Sequence, residues 1–212
     1  MVLAVTASFF GCGEGYPRLQ ELLDVVAHGV PVSVKRQADF EAEWTVSRGN
    51  YPLEPRHVPV FDCKVLEDIA LGRCIVMHAA IARMYFSTRL HINPVFVVDE
   101  GAAKFRVVHD LSALLHGESV NNTTVFEEAP VVGCGHIFEA MLYRIWSLRQ
   151  AWPRKRILIS KMDVKSAFRQ LALDVRGPLL GYRYNDLVVV DLRLQFGWRS
   201  SPGWWSLAGG AI

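Results

Sequence analysis

The residues best suited to chemistry stand in three short runs. Ile157–Phe168 reads ILISKMDVKSAF, an apolar stretch that delivers one carboxylate, Asp163, with an aromatic, Phe168, five residues further on. A carboxylate fixed at the end of a strand is a hard oxygen ligand, the kind that Mg²⁺ takes together with several waters. On local sequence alone the same aspartate can instead cap a helix starting near Ser166. Leu194–Pro202 reads LQFGWRSSP. Here Gly197 permits a backbone to approach a ligand closely, and Ser201 and Pro202 have the types of an N-cap and a first helical residue. Lys104–His109 reads KFRVVH and carries Arg106, a planar, permanently charged group that suits phosphate oxygens. A solvated surface arginine is the plainer reading of Arg106, and a core aromatic that of Phe168.

These residues need elements to position them. Leu19, Leu22, Leu23 and Val26 fall at helical spacing, with Pro17 as first helical residue and Gly29 as stop. From Val30 to Pro59 the pattern is irregular. Asp62 reads as the N-cap of a helix carrying Val65, Leu66, Ile69 and Ala70, ended by Gly72. Pro94–Val98 and Lys104–His109 flank a loop containing Gly101 and predict a β-hairpin, with Phe105 and Val107 on one face and Arg106 and Val108 on the other. His136–Ala151 has the spacing of an amphipathic helix, with Arg144 and Arg149 on its wetter side, and Pro153 ends it. Arg154, Lys155 and Arg156 lead into the strand expected before Asp163. Leu179–Tyr184 and Leu187–Leu194 flank Asn185-Asp186, a hairpin turn. Hairpins interleaved with helices predict an α+β fold, an antiparallel sheet backed by helices.

Composition sets bounds. The chain has 212 residues, 51% of them apolar, enough for one large domain or two small ones. A net charge of +2 permits nucleic-acid binding without arguing for it. Cys12, Cys63, Cys74 and Cys134 lack metal-ligand spacing and read as reduced, mostly buried thiols. The opening run MVLAVTASFF has no basic segment before it and is broken by Thr6 and Ser8, so it does not read as a signal peptide. No stretch reaches the roughly 18 apolar residues of a membrane span. The expectation is an intracellular chain, cytoplasmic or nuclear, without membrane contact.

In their order and separation, the Asp163–Phe168 and Gln195–Pro202 runs resemble the first two palm motifs of reverse transcriptases, and Lys104–Ser112 with Val120-Asn121 resembles the fingers hairpin of that family. The run VVVDLRLQFGWRSSPGWW, the segment FRVVHDLS and the upstream Asn93-Pro94 are most similar to the DIRS-like, tyrosine-recombinase group of retrotransposons. The likeness covers about Leu71 onward. It implies fingers and a partial palm over residues 61–212, preceded by a poorly defined segment, 1–60, with one helix.

The resemblance also implies roles. Asp163 would hold Mg²⁺ or Mn²⁺ with the backbone carbonyl of Val164. Arg106 would lie over the triphosphate of a deoxynucleotide, with Lys104 as a weaker phosphate contact. Phe168 would sit under the sugar and leave no room for a 2′-hydroxyl, and Gly197 would let the backbone reach the nucleotide. Lys165, Arg199, Ser201 and Pro202 would face an RNA or DNA template-primer, while Asp110 would brace the hairpin. Phe196 stands where retroviral enzymes usually have glutamine, as is common in retrotransposon enzymes. The sequence contains no Asp-Asp pair, the family's third palm motif. A two-metal site takes ligands from both, so the expectation is a fragment that is inactive alone. The alternative is a non-catalytic relic gripping nucleic acid through Arg106, Lys161, Lys165, Arg169 and Arg199.

Overall fold

The run Leu187–Asp191, LVVVD, is apolar at successive positions, which suits a strand covered on both faces. With Cys74–His78 (β1), Leu90–Ile92 (β2) and Leu179–Tyr184 (β5), it forms, as β6, a four-stranded sheet in the order β1–β6–β5–β2. The computed structural model describes residues 17–34, 49–86, 88–101, 104–114, 118–132, 137–159 and 163–209. Val188 and Val190 are buried with Leu90, Ile92 and Leu179 against Ala82 of a helix at Ala79–Phe86. Val189 belongs to a different cluster, with Tyr182, Val95, and Phe61 and Val65 of a longer helix at Val58–Ala70. Alternation of side chains along one strand thus feeds two cores.

A third cluster joins the two ends of the described chain. Leu22 and Val25 of helix α1 (Leu19–His28) and the following Val30 and Val32 are buried with Leu173, Leu180, Leu194, Trp198, Trp204 and Leu207. The backbone of Val30 is tied in on both sides, its N–H donating to Ala172 O at 2.8 Å and its carbonyl accepting from Asp174 N at 2.8 Å. Residues 17–34 therefore share a core with the last described helix, Ser201–Gly209. Numbered in chain order, the helices are α1, α2 (Val58–Ala70), α3 (Ala79–Phe86), α4 (Val120–Thr123), α5 (Ile137–Ala151) and α6 (Ser201–Gly209). The hairpin is Val95–Asp99 (β3) and Phe105–His109 (β4), antiparallel with Val97 opposite Val107.

The fold is α+β, as the interleaved patterns predict, and several details differ. The sheet is mixed: β2 pairs parallel with β5, Leu90 opposite Leu179. Such pairing needs a long return connection, here the whole stretch 93–178, which local hairpin signals do not reveal. Asp62 is not an N-cap. Its helix begins at Val58, and Asp62 instead accepts a hydrogen bond from Tyr184 Oη at 2.8 Å. Helix α1 starts at Leu19, after a turn at Pro17-Arg18. Of the strand expected over 157–162, residues 157–159 form no strand, and 160–162 lie outside the described residues. Asp163 itself lies in neither helix nor strand. The hairpin turn between β5 and β6 is present, with Asn185 at φ 53°. Cys63 is exposed and Cys74 buried; Cys12, Cys134 and the run MVLAVTASFF lie outside the described residues. No helix among the described residues is long and apolar enough to cross a membrane.

Trp204 and Leu207 are buried and Trp205 partly so, in one cluster with α1 and the 168–173 segment. Ile212 lies outside the described residues. Removing the Leu207 side chain empties space in a closed cluster, so Leu207→Ala should cost about 2–5 kcal/mol. Urea unfolding followed by tryptophan fluorescence checks this; a loss under about 0.5 kcal/mol would mean that the face is open to solvent.

Candidate functional site

The turn at Gly197 carries the clearest geometric demand. Gly197 has φ +98°, a conformation that L side chains rarely adopt, and a Cβ there would run into the carbonyl oxygen of His109 at the end of β4. Asn121 of α4 secures the turn from the other side. Its Nδ2 donates to Gly197 O at 2.8 Å and to Ser112 Oγ at 2.8 Å, while its Oδ1 accepts from Arg199 N at 2.9 Å. Arg199 Nη1 donates back to Asn121 O at 3.2 Å, and its guanidinium lies 4.8 Å from the centroid of Phe126. Trp198 is buried and donates to Thr124 Oγ1 at 3.0 Å. The 195–199 turn is thus seated on the chain that follows the β3–β4 hairpin.

A second demand is electrostatic. Arg169 is 8% exposed and lies between two carboxylates that are more deeply buried, donating to Asp191 Oδ1 at 2.6 Å and to Asp68 Oδ2 at 2.9 Å. Asp191, at the end of β6, also accepts from Gln195 Nε2; Asp68, on α2, accepts from Lys64 at 3.0 Å and Arg73 at 3.4 Å. Burial disfavours the Arg169 charge, but Asp191 and then Asp68 outweigh it, and the guanidinium is held above its ordinary value. Burial likewise pushes the Asp68 carboxyl up, and Arg169, Lys64 and Arg73 overcome it, leaving it below the usual carboxylate value. Burial holds the His109 imidazole below its ordinary value, and its ring lies 5.0 Å from that of Tyr182 in a T-shaped contact.

These two assemblies bring some of the anticipated residues together. Phe168 occupies a short 3₁₀ turn, Ala167–Gln170, next to Arg169, and its ring lies 4.6 Å from that of Phe196 in the glycine turn. Phe168, Gly197 and Arg199 thus belong to one neighbourhood. Lys104 and Arg106 sit on the hairpin, both paired with Glu100, at 2.9 and 2.6 Å. Asp110 braces the hairpin base, accepting from Tyr51 Oη at 2.8 Å and Ser112 N at 3.0 Å. Asp163, Val164 and Lys165 are exposed and lie in neither helix nor strand. Among the described residues, no hydrogen bond or ion pair joins Asp163 or Arg106 to the Phe168–Gly197 neighbourhood. Ser201 already belongs to α6, is fully buried, and donates its hydroxyl to Gln195 O at 2.6 Å; Pro202 is exposed beside it. Arg169 is corrected from a surface cation to a buried one. Lys161 lies outside the described residues.

A metal pair finds no complete donor set here. Among the described residues no three His, Cys, Asp or Glu side chains converge, at Asp163 or elsewhere. Mg²⁺ or Mn²⁺ at Asp163 and the Val164 carbonyl would lack the further carboxylates that a two-metal site uses. Sequence reasoning gave no role to Asn121 and Gln195, which stand in the runs that carry the resemblance, nor to Asp68 and Asp191. Asp191, the acidic residue that ends the apolar run VVVD of β6, was the available signal, whereas Asp68 stands among the other charged residues of α2, Asp62, Lys64 and Glu67. Compared with models of known protein families and with curated proteins, the chain matches none.

Two outcomes test this geometry. Gly197→Ala forces a side chain into a left-handed conformation and against the His109 carbonyl, and should destabilise the fold by about 1–3 kcal/mol in urea unfolding. The Asp68 carboxyl, held low in the folded chain, contributes stability that is complete above its unfolded value of about 4 and is lost as pH falls through the folded value. The urea midpoint should therefore drop on acidification below about pH 4, and Asp68→Asn should be weaker at pH 7 with a shallower acid dependence. An unchanged acid profile in Asp68→Asn would remove Asp68 from the charge balance.

Proposed function

We propose that this chain is the fingers and the N-terminal part of the palm of a retrotransposon RNA-directed DNA polymerase, of the DIRS-like, tyrosine-recombinase group. One observation carries the reading: the glycine turn at 195–199 sits directly on the end of the β3–β4 hairpin and on Asn121. Segments that resemble separate motifs of one family in sequence are neighbours in space, as a common substrate requires. In this reading Arg106 and Lys104 reach the triphosphate, Phe168 lies under the deoxyribose, and Gly197 lets the backbone approach the nucleotide. Arg199, Lys165 and the exposed edge at Pro202 face an RNA or DNA template-primer. The Glu100 pairing of Lys104 and Arg106 would exchange for phosphate oxygens on binding, a substitution of one charge-assisted bond for another.

A second reading has its own support. Asp163 is exposed and, among the described residues, belongs to no converging group of three His, Cys, Asp or Glu side chains, which favours a binding module that holds nucleic acid without chemistry.

A primed RNA template with deoxynucleotides separates the two. The 212-residue chain should give no extension with Mg²⁺ or Mn²⁺. Joined to a palm segment bearing Asp-Asp and a thumb, it should extend the primer, lose extension in Asp163→Ala, and admit ribonucleotides in Phe168→Ala. A joined protein that binds the template-primer but never extends it supports the binding module. Extension by the 212-residue chain that survives Asp163→Ala would contradict the polymerase reading.

A further inference from the structure

Helix α5 and the chain after it, residues 137–159, carry five cations, Arg144, Arg149, Arg154, Lys155 and Arg156, against a single acid, Glu139. Several cations elsewhere, Arg56, Lys64, Arg73, Lys104, Arg106, Arg169 and Arg176, have carboxylate partners. In 137–159 no cation has one among the described residues. Arg149 is used differently. Its Nη1 donates to Pro153 O at 2.9 Å and to Lys155 O at 3.2 Å, folding the chain back against the end of α5. The fold-back shapes a surface cleft of about 480 Å³ lined by Leu148, Trp152, Lys155, Arg156, Ile157 and Leu158. Trp152 is 59% exposed beside it, and Tyr143 and Trp146 on the same helix are also largely exposed.

We propose that this cleft is a docking site for single-stranded nucleic acid, with a base stacked on Trp152 over the apolar floor and backbone phosphates held by Lys155 and Arg156. Flat aromatic surface beside unpaired cations is the combination that takes an unpaired base and its phosphate together. Its size is in the range of small-molecule sites and exceeds what one base needs. The Arg149 contacts hold the loop before any ligand arrives, so little ordering is required on binding. Duplex nucleic acid would offer phosphates without a free base face. An anionic membrane would also accept the charge, and vesicle binding is therefore one arm of the test. The site lies on residues that the polymerase reading leaves without a role, and it does not depend on that reading.

Fluorescence anisotropy of a labelled twenty-residue oligo-thymidylate, titrated with the 212-residue chain over a range of salt, tests the site. Trp152→Ala should weaken binding about tenfold. Lys155→Ala/Arg156→Ala should also weaken it and make the salt slope shallower by about 0.7 per lost phosphate contact, a change that a folding defect does not produce. All three side chains are exposed, and circular dichroism confirms that the variants fold. Affinity and slope unchanged within twofold in both variants would overturn the proposal. So would equal affinity for a duplex, or binding to phosphatidylserine vesicles in place of the oligonucleotide. Loss of oligonucleotide binding in these variants, with primer extension by the joined protein never observed, would leave this site standing and the polymerase reading refuted.

Discussion

A guanidinium buried between two carboxylates is the constraint on which the rest of this fold depends. Arg169 can keep its charge out of water only while Asp68 and Asp191 stay within hydrogen-bonding distance, and it is the one cation that the two buried carboxylates share. The three residues come from α2, from the 167–170 turn and from the end of β6. Satisfying the charges therefore fixes those elements relative to one another. Replacing all three by apolar residues could be neutral for stability, whereas removing one leaves an unpaired charge and is strongly unfavourable. The network thus specifies an arrangement more than it adds stability.

That arrangement sets the neighbourhood of the candidate site. Phe168 precedes Arg169, and Gln195, bonded to Asp191, precedes Phe196. The contact between the two phenylalanine rings follows from the charge network beneath them. The glycine turn then meets its own demand at the His109 carbonyl and Asn121, which links it to the hairpin. Packing and charge act at different points and converge on one small region of surface. The basic cleft at the end of α5 lies on residues that belong to none of the three buried clusters.

Much of this was legible in the sequence where the signal was local. Gly29 as a helix stop, the hairpin around Gly101, the turn at Asn185-Asp186 and the helix ending before Pro153 all rest on short-range rules, and the structure contains each. The parallel pairing of β2 with β5 was not legible, because its partners are far apart in sequence and no periodicity records them. The helix start at Val58 was missed because Asp62 has the chemistry of a cap yet serves Tyr184. Arg169 read as a surface cation for the same reason: its two partners lie 101 and 22 residues away. At the candidate site, residue types identified Gly197 and Phe168, while Asn121, which seats the turn, carries no chemical signature of that task.

The claim at the centre is that Asp68 and Arg169 act as one unit across the chain. A double-mutant cycle with Asp68→Leu, Arg169→Met and the combination, measured by urea unfolding, tests it directly. Coupled residues predict that the double variant is more stable than the sum of the single losses implies, by about 2 kcal/mol, within the range seen for contacting charged pairs. Losses that add to within about 0.5 kcal/mol would show that the two residues do not depend on each other, and would contradict the account.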